Sequence, residues 1–148
     1  MPARKKLEIP VYVFLGFLES GKTTFIQDTL EEDYFNDGQR TLLFACEEGL
    51  EVYDEELLKS AKTTIVYVED QEEFTADFIT SKVLQNYPDR VIIEYNGMWM
   101  IKDLMETLED TPLELFQTIM TVNAETFDLY MNNMRSLAVE MFKISEMV

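Results

Sequence analysis

The stretch Gly16-Phe17-Leu18-Glu19-Ser20-Gly21-Lys22-Thr23 decides how this chain is read. It satisfies the spacing G-x-x-x-x-G-K-[ST], in which glycines let the backbone curl so that successive N–H groups point inward at phosphate oxygens. Its flanks agree. Ile9 to Leu15 is a short, nearly unbroken apolar run, the pattern of a strand buried on both faces of a parallel sheet. Lys22 to about Leu30 reads as a helix, whose N-terminal partial positive charge would also favour an anion. Gly16, Glu19, Ser20, Gly21, Lys22, Thr23 and Thr24 are therefore the candidate nucleotide contacts. Lys22 is expected to reach the β- and γ-phosphates, Thr23 to hold Mg²⁺ and Thr24 to bond the α-phosphate.

Outward from this loop the chain alternates. Strand candidates are Thr41 to Cys46, the β-branched run Thr63 to Val68, Val91 to Ile93, and Thr118 to Val122. Between them lie an acidic stretch from Glu47 to Glu56 and an amphipathic segment from Glu72 to Leu84. That segment would turn Phe74, Phe78, Ile79 and Val83 inward and be broken by Pro88-Asp89. Met98 to Leu108 reads as a helix, and Ala124 to Phe142 as a longer one. Strands alternating with helices predict a three-layer α/β P-loop NTPase domain with a mostly parallel sheet. No internal repeat or second-domain boundary interrupts residues 1–148, so a single nucleotide-binding domain is expected. Ser145-Glu146-Met147-Val148 resembles a turn leading into a further strand, so the chain is expected to stop before the last strands of its fold.

Composition narrows the chemistry. No histidine is present, which excludes a Ser-His-Asp or Cys-His nucleophile and an imidazole metal ligand. The single cysteine, Cys46, excludes an internal disulfide and a cysteine-cluster metal site, and reads as a small buried residue. Twenty-nine acidic residues against 12 basic ones give a net charge of −17, which repels a phosphate backbone or an anionic membrane. No apolar run approaches the roughly 18 residues that span a bilayer. No nucleic acid, no membrane and a cytoplasmic location are expected.

The longer string Pro10-Val11-Tyr12-Val13-Phe14-Leu15-Gly16-Phe17-Leu18-Glu19-Ser20-Gly21-Lys22-Thr23-Thr24 resembles the opening of the CobW-type P-loop GTPases, relatives of the UreG and HypB metallocentre-assembly GTPases. Glu94-Tyr95-Asn96-Gly97 is similar to that family's E-x-x-G at a strand end. Cys46-Glu47-Glu48-Gly49 with Asp54 is similar to its N-E-x-G…D segment, and Thr121-Val122-Asn123-Ala124 to its T-V-V-D-A. The resemblance runs from about Ile9 to Val148. It implies a Mg²⁺-dependent GTP/GDP-binding protein that hydrolyses GTP slowly and serves metal homeostasis or metallocofactor assembly, with a metalloprotein client or a second copy as partner. Glu94 would then join Thr23 in holding Mg²⁺, Gly97 would approach the γ-phosphate, and Glu47 and Asp54 would contact metal or position water.

Departures from the family pattern shape these expectations. Glu19 stands where the family has glycine, a carboxylate expected to point to solvent rather than at triphosphate. The family's C-x-C-C is replaced by Val68-Glu69-Asp70-Gln71-Glu72-Glu73, so no thiolate zinc site is expected; an acidic helix start is preferred there over a carboxylate metal site. Asn123 stands in the place of Asp, and the guanine-reading N-K-x-D segment is missing. Tyr95, Met98, Trp99 and Met100 around Gly97 fit a partner surface or core packing equally. Read from residues alone, an ATP-dependent small-molecule kinase or ATPase and a nucleotide-responsive module without turnover stay open beside the GTPase.

Overall fold

Val11, Val13 and Leu15 face one way from the first strand, and Tyr12 and Phe14 the other; both sets meet apolar partners. This is why the run carries no polar alternation. A strand covered on both faces must be apolar on both. In a computed structural model that describes residues 9–16, 21–32, 38–46 and 53–121, the strand, β1, spans Ile9–Leu15. It is followed by α1 (Lys22–Glu31), β2 (Thr41–Ala45), α2 (Glu55–Ser60) and β3 (Thr63–Tyr67). A 3-10 turn at Gln71–Glu73 then precedes α3 (Ala76–Asn86), β4 (Arg90–Glu94), α4 (Ile101–Glu109) and β5 (Leu113–Met120).

The sheet is five-stranded in the order β3-β2-β4-β1-β5, and every pairing in it is parallel. One face packs on α3 through Ile79 and Val83 and on α4 through Ile101, Leu104 and Leu108. The other packs on α1 through Ile26 and Leu30 and on α2 through Leu58. Helix, sheet and helix make the expected three layers. Among the described residues no helix is long and apolar enough to cross a membrane.

Three element boundaries differ from the sequence reading. The segment expected to be one helix from Glu72 is divided. Asp70 Oδ1 accepts the Glu72 amide at 3.0 Å to hold the 3-10 turn, and Thr75 Oγ1 accepts the Phe78 amide at 3.1 Å to start α3 afresh. Local side-chain caps of this kind compete with an uninterrupted helix. Phe74, at the joint, still reaches the core and stands edge-on to Phe44 at 5.4 Å. The helix expected from Met98 begins at Ile101 instead, because Asn96 Oδ1 accepts the Met98 amide at 2.8 Å and turns the chain.

The fifth strand starts at Leu113, five residues earlier than Thr118, where the sequence placed it. Its first half is mostly exposed and Phe116 is an extra residue opposite the Val11/Tyr12 step, so neither an apolar run nor an alternation marks it. Val122, the expected helix from Ala124 to Phe142 and the terminal strand start lie outside the described residues, as do Glu19, Ser20, Glu47 and Asn123.

Candidate functional site

All five strands run the same way, so their carboxyl ends share one edge of the sheet. β1 leads to α1 on one face, whereas its neighbour β4 leads to α4 on the other. The two connections part at the strand tips, the kind of point at which open parallel sheets bind ligands. Backbone bonds knit this edge together: Cys46 donates to Glu94 at 2.9 Å, Tyr95 to Phe14 at 3.1 Å and Thr121 to Leu15 at 2.9 Å.

From the β1 side comes the amino end of α1. Gly16 and Gly21 have φ of 143° and 93°, values that a side chain would strain, and the Gly21 carbonyl accepts the first helical bond from Phe25. Lys22, Ile26 and Leu30 are its buried residues, one helical turn apart on a single stripe. Lys22 thus stands at the top of the stripe that faces the sheet, which brings its side chain over the strand tips. Only 5% of it is exposed, and its ammonium donates to the Gly16 carbonyl. Thr24, next on the helix, is exposed at its open end.

From the β4 side comes Glu94, the last residue of the strand and 1% exposed. Its Oε2 accepts a 2.5 Å hydrogen bond from Thr23 Oγ1, across 71 positions of sequence. The structure therefore brings Thr23 and Glu94 together, with Lys22 next to Thr23 at the start of α1. Gly97 is buried in the turn just beyond. Around it, Tyr95 belongs to the core, with Trp99 edge-on to it at 5.6 Å and its hydroxyl donating to Met100 O at 2.9 Å. Met98 and Met100 are exposed.

Asp54 takes a more local place than the sequence suggested. It caps α2, its Oδ1 accepting the Glu56 amide at 2.9 Å, and its own amide donates to Gln27 Oε1 of α1 at 2.8 Å. Its neighbour Tyr53 is a site residue that the sequence reading missed. Only 6% exposed, Tyr53 lies in the core with Leu58, the staple arrangement of a residue before the cap and one in the helix's first turns. Its hydroxyl lies beside the Glu94 carboxylate and the Thr23 hydroxyl but makes no hydrogen bond of good geometry among the described residues. Burial first, and then the adjacent Glu94 carboxylate, push the phenol far above its ordinary range, with the Thr23 hydroxyl acting in the opposite sense. Tyr53 is therefore a neutral hydrogen-bond donor.

The donor set that results is a hydroxyl and a buried carboxylate, hard oxygen ligands of the kind Mg²⁺ takes. Among the described residues no group of three or more carboxylates or thiolates converges as a metal site. In the acidic stretch at residues 69–73, Asp70 is a cap. Cys46 is buried in the core. A separate groove of about 440 Å³ lies between the segment around Phe74 and α4, bordered by Glu72, Asp103, Glu106 and Asp110. Its like charges would repel a polyphosphate.

No family model matches the chain, and no curated protein matches it at a significant level. Among solved structures it is similar to the signal recognition particle receptor FtsY from Elizabethkingia anophelis, with 16% identity and a TM-score of 0.53 over 98% of this chain and 49% of that one. It also matches the cell division protein FtsY from Thermotoga maritima, with 17% identity and a TM-score of 0.48 over 100% of this chain and 54% of that one. The chain thus spans about half the length of these structures. The first likeness agrees with the described strands and helices in fold alone, a three-layer α/β domain around an all-parallel five-stranded sheet.

Proposed function

We propose that this chain binds a Mg²⁺–guanine nucleotide at the tips of β1 and β4 and hydrolyses the triphosphate slowly, as a GTPase of CobW type. The observation that carries the reading is the meeting of Thr23 and Glu94 at the strand tips, with Lys22 next to Thr23 at the start of α1. Guanine, rather than adenine, rests on the sequence resemblance, as does an output in metal homeostasis or metallocofactor assembly through a metalloprotein client or a second copy.

Thr23 and Glu94 would hold Mg²⁺, which supplies positive charge to the β- and γ-phosphate oxygens. Everything else falls to the chain itself. The Lys22 ammonium exchanges the Gly16 carbonyl for phosphate oxygens, a stronger, charge-assisted bond. The amides that open α1 add donors aimed the same way. Gly97, without a Cβ, lets the turn after β4 come close to a γ-phosphate. Glu47 is the candidate for orienting the attacking water, and Asp54 contributes by holding α2 beside the site.

The test is Mg²⁺-dependent binding of fluorescent GDP and GTP, competed with unlabelled ATP, with Lys22→Ala as control. The expected result is guanine-selective binding that Lys22→Ala weakens at least 100-fold, since a charge-assisted contact to polyphosphate is lost. Equal competition by ATP would replace the GTPase by an ATP-dependent enzyme on the same loop. Tight binding with hydrolysis no faster than in Lys22→Ala would replace it by a binding module without turnover.

A further inference from the structure

The phenol of Tyr53 is the feature that the fold alone does not explain. It comes from the segment leading into α2, yet it ends beside Thr23 of α1 and Glu94 of β4. Its ring is core, packed in the cluster of Phe14, Ile26 and Leu58. Its hydroxyl, buried with the ring, lies close enough to the Glu94 carboxylate and the Thr23 hydroxyl to be influenced by both, yet makes no hydrogen bond of good geometry among the described residues. A buried hydroxyl left unbonded is costly, and phenylalanine would fill the same space without that cost. A donor kept in such a place, next to the two groups that fit a cation and at the end of a helix that fits a phosphate, fits an acceptor that arrives from outside.

We propose that Tyr53 is a ligand-contacting residue: its hydroxyl donates to an oxygen brought in by the metal–nucleotide complex, and so ties α2 to the loaded site. The inference rests on the P-loop nucleotide reading and adds to it a residue from a different element. The tie has a mechanical path. Tyr53 adjoins the cap Asp54, whose carboxylate starts α2 and whose amide is held by Gln27 of α1. A bond made at the phenol would stiffen the joint between α1 and α2, which gives the fold a way to distinguish loaded from empty.

The experiment uses the full chain and Tyr53→Phe, with a fluorescent GDP and a fluorescent non-hydrolysable GTP analogue as probes, each titrated in EDTA and in Mg²⁺. The readout is the ratio of the two Kd values, the gain in affinity that Mg²⁺ confers. Losing one hydrogen bond to a charged acceptor is expected to lower that ratio about tenfold in Tyr53→Phe. A drop with both probes assigns the acceptor to an oxygen common to both complexes; a drop with the triphosphate analogue alone assigns it to the γ-phosphate. Either supports the inference. Thermal unfolding without ligand is a second readout: Tyr53→Phe is expected to melt a few degrees higher, because an unbonded buried hydroxyl is gone. An unchanged ratio overturns the inference, whatever the melting temperature does, and leaves the nucleotide reading standing. Failure of the unsubstituted chain to bind either probe overturns both.

Discussion

The two ends of the parallel sheet bury polar groups in different ways. At the amino end of β4, Arg90 is 4% exposed, and its guanidinium is answered from within: Nε donates to Thr41 Oγ1 at 2.8 Å and Nη1 to Gln39 Oε1 at 3.3 Å. Next to it the Arg40 amide donates to Asp89 Oδ2 at 2.8 Å. At the carboxyl end of the same strand, Glu94 and Tyr53 are as deeply buried, and the Tyr53 hydroxyl makes no hydrogen bond of good geometry among the described residues. The helix starts, all at the carboxyl end, differ among themselves. α2 and α3 are capped by Asp54 and Thr75 and carry acidic residues in the first turn, whereas α1 starts at Gly21 with no acid there. One end is closed by side chains of the fold. The other holds a buried phenol that is not answered in this way, and the difference separates residues that close the fold from residues that we propose serve a ligand.

The largest effect that would break this division is expected at the closed end. Arg90→Ala should cost about 3 kcal/mol in urea unfolding without ligand, because it removes charge-assisted bonds and the packing of a long buried stem. Nucleotide affinity of the folded fraction should stay within about twofold. A large loss of affinity at unchanged stability would mean that both ends serve the ligand. Glu94→Gln should give the opposite pattern. The amide keeps the shape and still accepts from Thr23, while a buried charge disappears, so the empty protein should be no less stable and can gain up to about 1 kcal/mol. The Mg²⁺ concentration needed for half-maximal nucleotide binding should rise at least tenfold, since a neutral amide is a poor ligand for a hard cation. Loss of stability without a change in Mg²⁺ requirement would move Glu94 to the structural side.

How much of this was legible in the sequence follows from the range of each interaction. The glycine loop, β1 and α1 are set by neighbours in the chain, and Lys22 and Thr23 could be assigned from them. Glu94 was legible through the resemblance of Glu94-Tyr95-Asn96-Gly97 to a family motif that sits at a strand end. Tyr53 was not. Its burial could have been inferred from the staple it forms with Leu58, but its approach to Thr23 and Glu94 depends on how α2 packs against α1, which no local pattern encodes. The start of β5 was hidden for a physical reason as well. A strand at the edge of the described sheet with a bulge at Phe116 has neither a buried face on every residue nor a regular alternation. The division of the expected helix at Thr75 hung on one hydroxyl, where helix propensity and side-chain capping compete within less than a turn.

Asp54 is the smallest and sharpest test, because it stands on the boundary between the two kinds of residue. Its carboxylate is used as a cap, and its position beside Tyr53 puts it within one residue of the site. Asp54→Ala should cost about 1 kcal/mol, the usual effect of removing an N-cap, and Asp54→Asn should restore most of it because asparagine caps nearly as well. If capping is its whole part, the Mg²⁺ requirement for nucleotide binding is the same in Asp54→Asn as in the unsubstituted chain. If the carboxylate also touches the metal, Asp54→Asn keeps the stability and raises that requirement, as Glu94→Gln does. The amide substitution separates the two, since it leaves the cap in place and removes only the charge. The bonds at Oδ1 favour the first outcome: a group that already answers two amides of its own helix belongs with Thr75 and Arg90, among the contacts that close the fold.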